Sequence, residues 1–176
     1  MTTTTAESPD ATEYAPYYGG YVSLVPGGDI LDTLERRRGA LLELLRGIPD
    51  ARAGLRYAPG KWSVKEVVGH VIDTERVFAY RALRFARGDS TALPGFEQDG
   101  YVRAGGFDSR TLNDLADEFD LVRRASLYLF RNLDAEAWRR RGEASGAQVS
   151  VRALAYIIAG HELHHTGILE TKYLSA

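Results

Sequence analysis

The chain has no cysteine among its 176 residues, and that absence excludes several kinds of chemistry. Disulfide bonds, thiolate metal ligands and a cysteine nucleophile all require a thiol that the protein does not carry. A chain without cysteine is typical of a reducing compartment, so we expect a cytoplasmic protein.

The sequence also has no excess of one charge and no long apolar run. Its formal net charge is -2, which favours neither nucleic acid nor an acidic membrane surface as a partner. No apolar run approaches the roughly 18 residues of a membrane-spanning helix. The polar first residues lack the basic and apolar regions of a secretory signal. We therefore expect no nucleic-acid partner and no membrane association.

The polar start of the chain, MTTTTAESPDATE, predicts a disordered tail over residues 1–13. The remaining residues, 14–176, are enough for one domain with a substantial core and too few for two. The first part of that domain, YAPYYGGYVSLVPGGD, is rich in Tyr, Gly and Pro. It predicts irregular chain whose aromatic rings pack on the domain surface.

Four longer segments have apolar residues at the spacing of amphipathic helices. They run from about 29 to 47, from 63 to 87, from 111 to 133, and from 150 nearly to the C-terminus. Ser63 and Glu66 form a capping box at the start of the second segment. Long helices without strand-like alternation between them predict an all-α fold, a four-helix bundle.

A long connection, residues 88–109, separates helices two and three. Loops longer than about 12–15 residues tend to be functional or disordered in compact domains. Phe96, Tyr101 and Phe107 predict that this connection is attached to the bundle, where it can cover a site as a lid. The acidic stretch at 97–99 is interpreted first as ordinary loop polarity, and contact with the site is the alternative.

Three of the four histidines lie within five residues, in the segment GHELHHTG. The apolar residues of helix four define an inward stripe, and a rotation of 100° per residue places His161, Glu162 and His165 on that side. His164 falls away from the stripe, toward solvent. Imidazoles one turn apart have Cβ atoms about 5–6 Å from each other, a spacing that suits two ligands of one metal ion.

Two residues of helix two complete the candidate site. His70 lies on the flank of the apolar stripe, where it can reach a metal ion held by helix four. Glu75 lies near the stripe's centre, where a buried carboxylate needs an arginine, a histidine N–H or a metal-linked partner. Metal-binding imidazoles donate their second N–H to a carboxylate or carbonyl, so Glu75 and Glu162 are candidates for that supporting role, beside His164. For an inward histidine, the alternative to a metal ligand is an ordinary buried core residue. For Glu75 and Glu162, the alternative is a structural salt bridge.

The residues at 161–165 spell H-E-x-x-H, the zinc-binding pattern of many metalloproteases. Such an enzyme needs a third protein ligand. Only eleven residues follow the motif, and Ile168 and Thr171 stand where the metzincin extension requires glycine and histidine. The context therefore excludes a protease, and His70 is the better third ligand.

The stretches YAPGKWSVKEVVGHVIDTERVFAYRALRFARGD and IIAGHELHHTGIL resemble the DinB/YfiT-like superfamily. The likeness includes the GKWS entry to helix two, a histidine about two turns later and a C-terminal H-x-x-H-H. With helices one and three it covers most of the chain from about Asp29. The chain differs from many relatives after the histidine doublet, where it has Thr166, Gly167 and Ile168 instead of a glutamine.

This resemblance implies a four-helix bundle that binds a divalent metal ion through His70, His161 and His165, often as a homodimer. Three neutral imidazoles suit Zn²⁺, Ni²⁺ or Fe²⁺, and we expect zinc or nickel before iron. The resemblance further implies a metal-dependent transferase that joins a low-molecular-weight thiol to an electrophile in detoxification or stress response. Because the chain has no cysteine, that thiol has to be a substrate.

Two other functions fit the same residues. The first is a metal-dependent hydrolase in which Glu162 or Glu75 acts as the base on a metal-bound water. The second is a non-enzymatic module for stress response or dimerisation, in which the histidines and their metal ion stabilise the bundle.

Overall fold

The structure, a computed structural model, describes residues 7–175. Residues 1–6 of the predicted disordered tail lie outside this range. In the rest of the predicted tail, Ala11–Glu13 form a turn of 3-10 helix that Asp10 caps, and the Glu13 side chain is buried. The ordered chain therefore begins before residue 14, because Glu13 has partners in the bundle that the sequence pattern does not reveal.

Eight α-helices account for most of the regular structure of residues 7–175. They are α1 (Gly19–Val22), α2 (Ile30–Gly47), α3 (Asp50–Ala53), α4 (Val64–Ala86), α5 (Gln98–Gly105), α6 (Leu112–Arg131), α7 (Ala135–Arg139) and α8 (Val151–Ile168). The four long helices pack as a bundle in which α4 contacts α8 and α6, and α2 contacts α6 and α8. The predicted all-α four-helix bundle is confirmed. Within the described range, none of the helices combines the length and apolar character needed to cross a bilayer.

Side-chain caps fix the starts of the four long helices close to where the sequence predicts them. Asp29, Ser63, Thr111 and Ser150 each accept a hydrogen bond from a backbone N–H of the first turn. At Ser63 the capping box is complete, because the Glu66 carboxylate accepts from the Ser63 N–H at 2.8 Å. Such a cap contributes typically about 1 kcal/mol, so the helix starts are encoded locally.

A β-hairpin between α7 and α8 is a feature that the helical pattern does not predict. Its strands, β1 (Arg141–Ala144) and β2 (Ala147–Ser150), are antiparallel. Ser145 and Gly146 form the turn with φ angles of 55° and 76°, positive at both positions as in a type I′ turn. Strands of four residues are too short to show a clear alternation in the sequence.

The connection between α4 and α6 is partly helical and is attached to the bundle. It contains α5 and a 3-10 turn, Phe107–Ser109. The Phe107 ring is buried and lies directly against Gly69 of α4, which leaves no room for a side chain there. Leu93 pairs with Ala144 of the hairpin. The predicted attachment of this connection therefore rests on Phe107, on Phe96, whose ring packs edge-to-face against Phe78 of α4, and on a contact with the hairpin.

Two clusters of buried apolar residues fill the bundle, and a polar layer separates them. Along α4 one cluster ends at Ile72 and the other begins at Phe78. Along α8 one cluster ends at Ala159, and the other resumes at Leu169, the first residue of a short π-helix (Leu169–Tyr173) that continues α8. All four long helices contribute to the polar layer, which we define as Arg37, His70, Thr74, Glu75, Arg123, His161, Glu162, His165 and Thr166.

Candidate metal centre

The polar layer brings the three predicted metal ligands together. His70 of α4 and His161 and His165 of α8 each offer a ring nitrogen, and these nitrogens all lie within 4.8 Å of one another. The Nε2 atoms of His70 and His161 are 2.9 Å apart. Two nitrogens bound to one zinc ion at about 2.1 Å lie at most about 4.2 Å apart. A small movement of the histidine side chains would therefore bring all three nitrogens within binding distance of one ion.

Burial keeps the three imidazoles neutral at pH 7. It lowers the pKa of His70 to about 4. Burial, and then repulsion from His70 and His164, lowers the pKa of His165 to about 3. The pKa of His161 is held well below its usual range by burial first and by the neighbouring histidines second. A neutral imidazole keeps a lone pair for a cation, so this donor set fits a divalent metal ion.

Helix geometry and one hydroxyl explain how the rings are oriented. His161 and His165 lie one turn apart on the inward face of α8, as their helical phase predicts. His70, on the flank of its stripe, is only 3% exposed because that flank faces α8. The Thr74 Oγ1, one turn along α4, lies 3.5 Å from His70 Nδ1, which directs Nε2 toward the other histidines.

The buried carboxylate of Glu75 is paired with Arg123 of α6. Arg123 donates to both Glu75 oxygens at 2.9–3.1 Å and to the Leu34 carbonyl of α2 at 3.1 Å. The two side chains are 2% and 0% exposed. Of the three kinds of partner that the sequence allows for Glu75, the structure selects the arginine, and within residues 7–175 no hydrogen bond joins Glu75 to a histidine.

Glu162 is bound on both of its oxygens. Arg37 of α2 donates at 2.8 and 3.2 Å, and Thr166 donates at 2.7 Å. The Glu162 side chain is 1% exposed. The carboxylate therefore ties α8 to α2 beside the histidines, and Thr166 occupies the region where many relatives have a glutamine.

His164 is exposed, as its helical phase predicts. Its ring centroid lies 5.0 Å from that of His165 and 5.3 Å from that of Tyr21. Tyr21 also has its ring centroid 5.4 Å from that of His161, in an edge-to-face arrangement. Burial, and then a hydrogen bond with Tyr17, raises the pKa of Tyr21, so its hydroxyl stays protonated.

A cavity of about 260 Å³, here named the aromatic chamber, opens beside His70 and His161. Five aromatic side chains form most of its wall: Tyr17, Tyr18, Tyr21, Phe78 and Phe96. Thr74, Gln98 and Ser145 supply its other polar atoms. The chamber is therefore a mainly aromatic space with two of the three ligand rings at its inner end.

A second cavity of about 350 Å³, here named the Trp62 groove, reaches His165 from another direction. Lys61, Trp62 and Asp99 line it together with Tyr57 and Tyr173. The negative charge of Asp99 also acts on His70, in the direction that raises its pKa against the larger effect of burial. The acidic stretch at 97–99 therefore lies at the site and is more than ordinary loop polarity.

Several residues around the histidines are not identified from the sequence as parts of the site. The sequence pattern does not single out Thr74, and Trp62 belongs to the GKWS motif without an assigned role. The tyrosines of the segment before α2 are expected to pack on the surface, whereas they line the aromatic chamber. A cluster of aromatic residues in an otherwise irregular segment was the available indication.

The fold and the site together define the class: a four-helix bundle in which three neutral histidines from two helices converge. The sequence model of the DinB superfamily matches residues 33–169. The chain therefore belongs to the DinB superfamily. No curated protein sequence matches the chain.

Three solved structures have the same fold. YfiT from Bacillus subtilis, described as a probable metal-dependent hydrolase with an unusual four-helix bundle topology, has a TM-score of 0.72 and 13% identity over 94% of this chain and 93% of its own. The mycothiol-dependent maleylpyruvate isomerase has a TM-score of 0.65 and 13% identity over 78% of this chain and 58% of its own. A DinB-like protein of Bacillus subtilis, YjoA, has a TM-score of 0.59 and 22% identity over 80% of this chain and 86% of its own. At these identities the similarity establishes the fold.

Proposed function

We propose that the protein is a metal-dependent transferase that joins a low-molecular-weight thiol to an electrophile. His70, His161 and His165 hold the divalent ion, zinc or nickel before iron. The observation that carries the proposal is the set of three neutral, buried histidines that two separate cavities reach. Two cavities at one metal site suit a reaction between two molecules, and a mycothiol-dependent enzyme shares the fold.

A divalent metal ion, when bound, would lower the pKa of a coordinated thiol, so that the thiolate is available at neutral pH. The protein's own residues do the rest. Thr74 orients His70, and Arg37 and Thr166 hold Glu162 so that this part of α8 keeps His161 and His165 in position. Because the chain has no cysteine, the substrate thiol has no competitor within the protein.

Metal content and thiol consumption test the proposal together. Purified wild type, loaded in turn with Zn²⁺, Ni²⁺ and Fe²⁺, is expected to carry one metal per chain and to speed the loss of a thiol to monobromobimane. His70→Ala and His161→Ala should lose both metal and activity. His164→Ala is the matched control, because His164 lies on the same helix with its ring exposed, and it should keep both.

Two results would contradict this function. Equal metal content in all four proteins would show that these histidines do not bind the metal. The second result is that wild type binds metal but consumes none of cysteine, glutathione or mycothiol with any of the three metals. The metal site would then stand, and the transferase function would be wrong. The remaining function would then be the non-enzymatic module, in which the metal ion stabilises the bundle.

A metal-dependent hydrolase is the second candidate, and the position of Asp99 favours it. Glu162 and Glu75 are both occupied by arginines, whereas Asp99 lines the Trp62 groove beside His165 and is exposed. If the protein hydrolyses esters or amides, Asp99→Asn should reduce the rate at least tenfold with metal retained, as loss of a general base does. Glu162→Gln should lower stability more than the rate. If Glu162→Gln lowers the rate more than Asp99→Asn does, Glu162 is the general base instead.

A further inference from the structure

We propose that the two cavities bind different reactants: the aromatic chamber takes an uncharged electrophile built on one substituted aromatic ring, and the Trp62 groove admits the thiol. This inference rests on the proposed transferase and names its substrate class. It follows from the size, the lining and the charge of the two cavities.

The size of the aromatic chamber suits one ring with substituents. A cavity of about 150 Å³ lined by apolar side chains is large enough to bind benzene. The chamber has about 260 Å³ and therefore holds a monocyclic aromatic molecule that carries one or two small groups.

The arrangement of the rings favours an aromatic guest over an aliphatic one. Tyr18 meets Phe78 edge-to-face with centroids 5.9 Å apart, and Phe78 meets Phe96 in the same manner at 6.4 Å. Rings that contact each other in this way present both faces and edges to the space between them. Aromatic pairs prefer edge-to-face and offset contacts, and these add to the burial of apolar area.

Charge separates the two cavities. None of the described side chains that line the aromatic chamber carries a charge at neutral pH, so away from the metal ion an ionised guest there has no ion-pair partner. Arg81 lies behind the wall, stacked at 5.3 Å on Phe78 and bound to the Pro94 carbonyl at 2.9 Å. Its guanidinium also donates to Ser145 of the chamber wall at 3.0 Å, but Arg81 itself does not line the chamber.

The Trp62 groove has the opposite character. Lys61 and Asp99 place one positive and one negative side chain along it, and both are exposed. An adjoining cavity adds Arg56 and Arg103 to the same rim. Small thiols that carry both ammonium and carboxylate groups find partners of each sign here, and they reach the site from the side of His165.

In the reaction, the sulfur of the thiol forms a bond to the benzylic carbon of the electrophile. The carbon–halogen bond of a benzylic halide breaks at the same time, and halide leaves with the bonding pair. The thiol proton passes to solvent. No oxidant or reductant is needed, and the products are one thioether, a halide ion and a proton.

Binding of an unreactive analogue tests the chamber without turnover. With the metal-loaded full chain, calorimetry should show that 4-nitrobenzyl alcohol binds more tightly than cyclohexylmethanol. Tyr17→Leu and Phe96→Leu should each weaken the aromatic ligand about fivefold, the effect of one lost ring contact. Tyr17 is 72% exposed, so its replacement leaves the fold intact. Tyr128→Leu, on the outer face of α6 and 65% exposed, is the control and should change nothing.

Kinetics test the division between the cavities. For 4-nitrobenzyl chloride with glutathione, the chamber variants should raise the KM of the electrophile and leave the KM of the thiol unchanged. With chloroacetamide, which has no ring, they should have no effect. Lys61→Met should raise only the KM of the thiol, by about threefold, as expected for loss of one exposed charge contact.

The outcomes separate this inference from the proposed function. If thiol is consumed but the chamber variants act equally on both electrophiles, or if 4-nitrobenzyl alcohol binds equally to all four proteins, the inference is wrong and the transferase stands. If no thiol is consumed and the chamber variants still weaken 4-nitrobenzyl alcohol selectively, the transferase is wrong and the chamber remains a site for aromatic ligands.

Discussion

The ion pair between Glu75 and Arg123 is the contact on which the polar layer most depends. It lies between the two apolar clusters, and neither side chain has more than 2% exposure. Because Arg123 also donates to the Leu34 carbonyl, one side chain joins α2, α4 and α6. Removing both charges from water costs free energy, so the pair need not stabilise the fold overall. Removing only one of the two partners, however, leaves an unpaired buried charge and is strongly destabilising.

Arg123→Met is expected to destabilise the protein by about 3–5 kcal/mol, because Glu75 remains buried without its partner. The double variant Glu75→Leu/Arg123→Met should recover most of that loss. Urea titration measures the free energy of unfolding of both variants, provided that its dependence on urea concentration is the same as in wild type. A single variant as stable as wild type would contradict a dependence of the polar layer on this ion pair.

Among the elements, the segment around α1 owes its position to a glycine of α8. Gly160, next to His161, lets the backbone of Tyr21 approach so closely that an added Cβ would overlap the Tyr21 carbonyl oxygen. This contact holds the tyrosine wall of the aromatic chamber against the histidines. A segment without long regular structure is thus fixed by one close backbone approach.

Gly160→Ala is therefore expected to cost about 1–3 kcal/mol, in the range of overpacking, and to weaken binding of 4-nitrobenzyl alcohol. The matched control is Gly167→Ala on the same helix, where an added Cβ meets nothing within 4 Å. That variant should gain up to about 1 kcal/mol from helix propensity. Thermal unfolding compares the two, and equal effects would mean that α1 moves freely with respect to α8.

The N-terminal turn is joined to α8 through Glu13, which accepts a hydrogen bond from Ser150 at 2.7 Å and pairs with Arg152. Burial raises the pKa of Glu13, but the bonds from Arg152 and Ser150 outweigh it, so the net pKa is lowered from 4.5. The unfolded chain therefore takes up this proton first as the pH falls. The contribution of Glu13 to stability is complete above about pH 4.5 and is lost as the pH falls through the lower, folded-state pKa.

Glu13→Gln should lower the melting temperature at pH 7 and make it less sensitive to pH below 4.5. Glu136→Gln, on a carboxylate of α7 that is 79% exposed, is the control and should leave the melting temperature unchanged. Melting curves between pH 3 and pH 7 test this. Parallel curves for Glu13→Gln and wild type would contradict a stabilising role for the ionised carboxylate.

For the whole molecule, we expect metal binding and folding to be linked, because the three proposed ligands come from two helices that meet only in the folded state. A metal ion at a hundredfold excess over its Kd is expected to stabilise the fold by about 2.7 kcal/mol. In a domain of this size that raises the melting temperature by about 5–10 °C. Chelation should reverse the shift, His161→Ala should abolish it, and His164→Ala should retain it. A shift that survives His161→Ala would place the metal elsewhere.

The homodimer implied by the superfamily stays a prediction. Sedimentation equilibrium of the metal-loaded chain measures it directly, and a monomer at concentrations well above those of the kinetic assays would contradict it.

The sequence predicts the four long helices well because their boundaries depend on local chemistry. Caps at Ser63 and Ser150 and the apolar periodicity between them act within a few residues. The end of α8 shows the limit of this approach. Continuing the inward stripe at 100° per residue places the stem of Lys172 inside, yet Lys172 is exposed and Tyr173 is buried. The chain changes there to a π-helix over Leu169–Tyr173, whose wider turn shifts the phase.

By itself, the sequence determined the all-α architecture and the inward face of helix four, because both follow from spacing along one segment. It also identified His161 and His165 as neighbours and narrowed the partners of Glu75 to three kinds. Only the tertiary structure decided that His70, 91 residues away, meets His161, that Arg123 and Arg37 neutralise the two carboxylates, and that two cavities open onto the histidines. These features depend on how separate helices are placed against each other, and no periodicity within one helix records that placement.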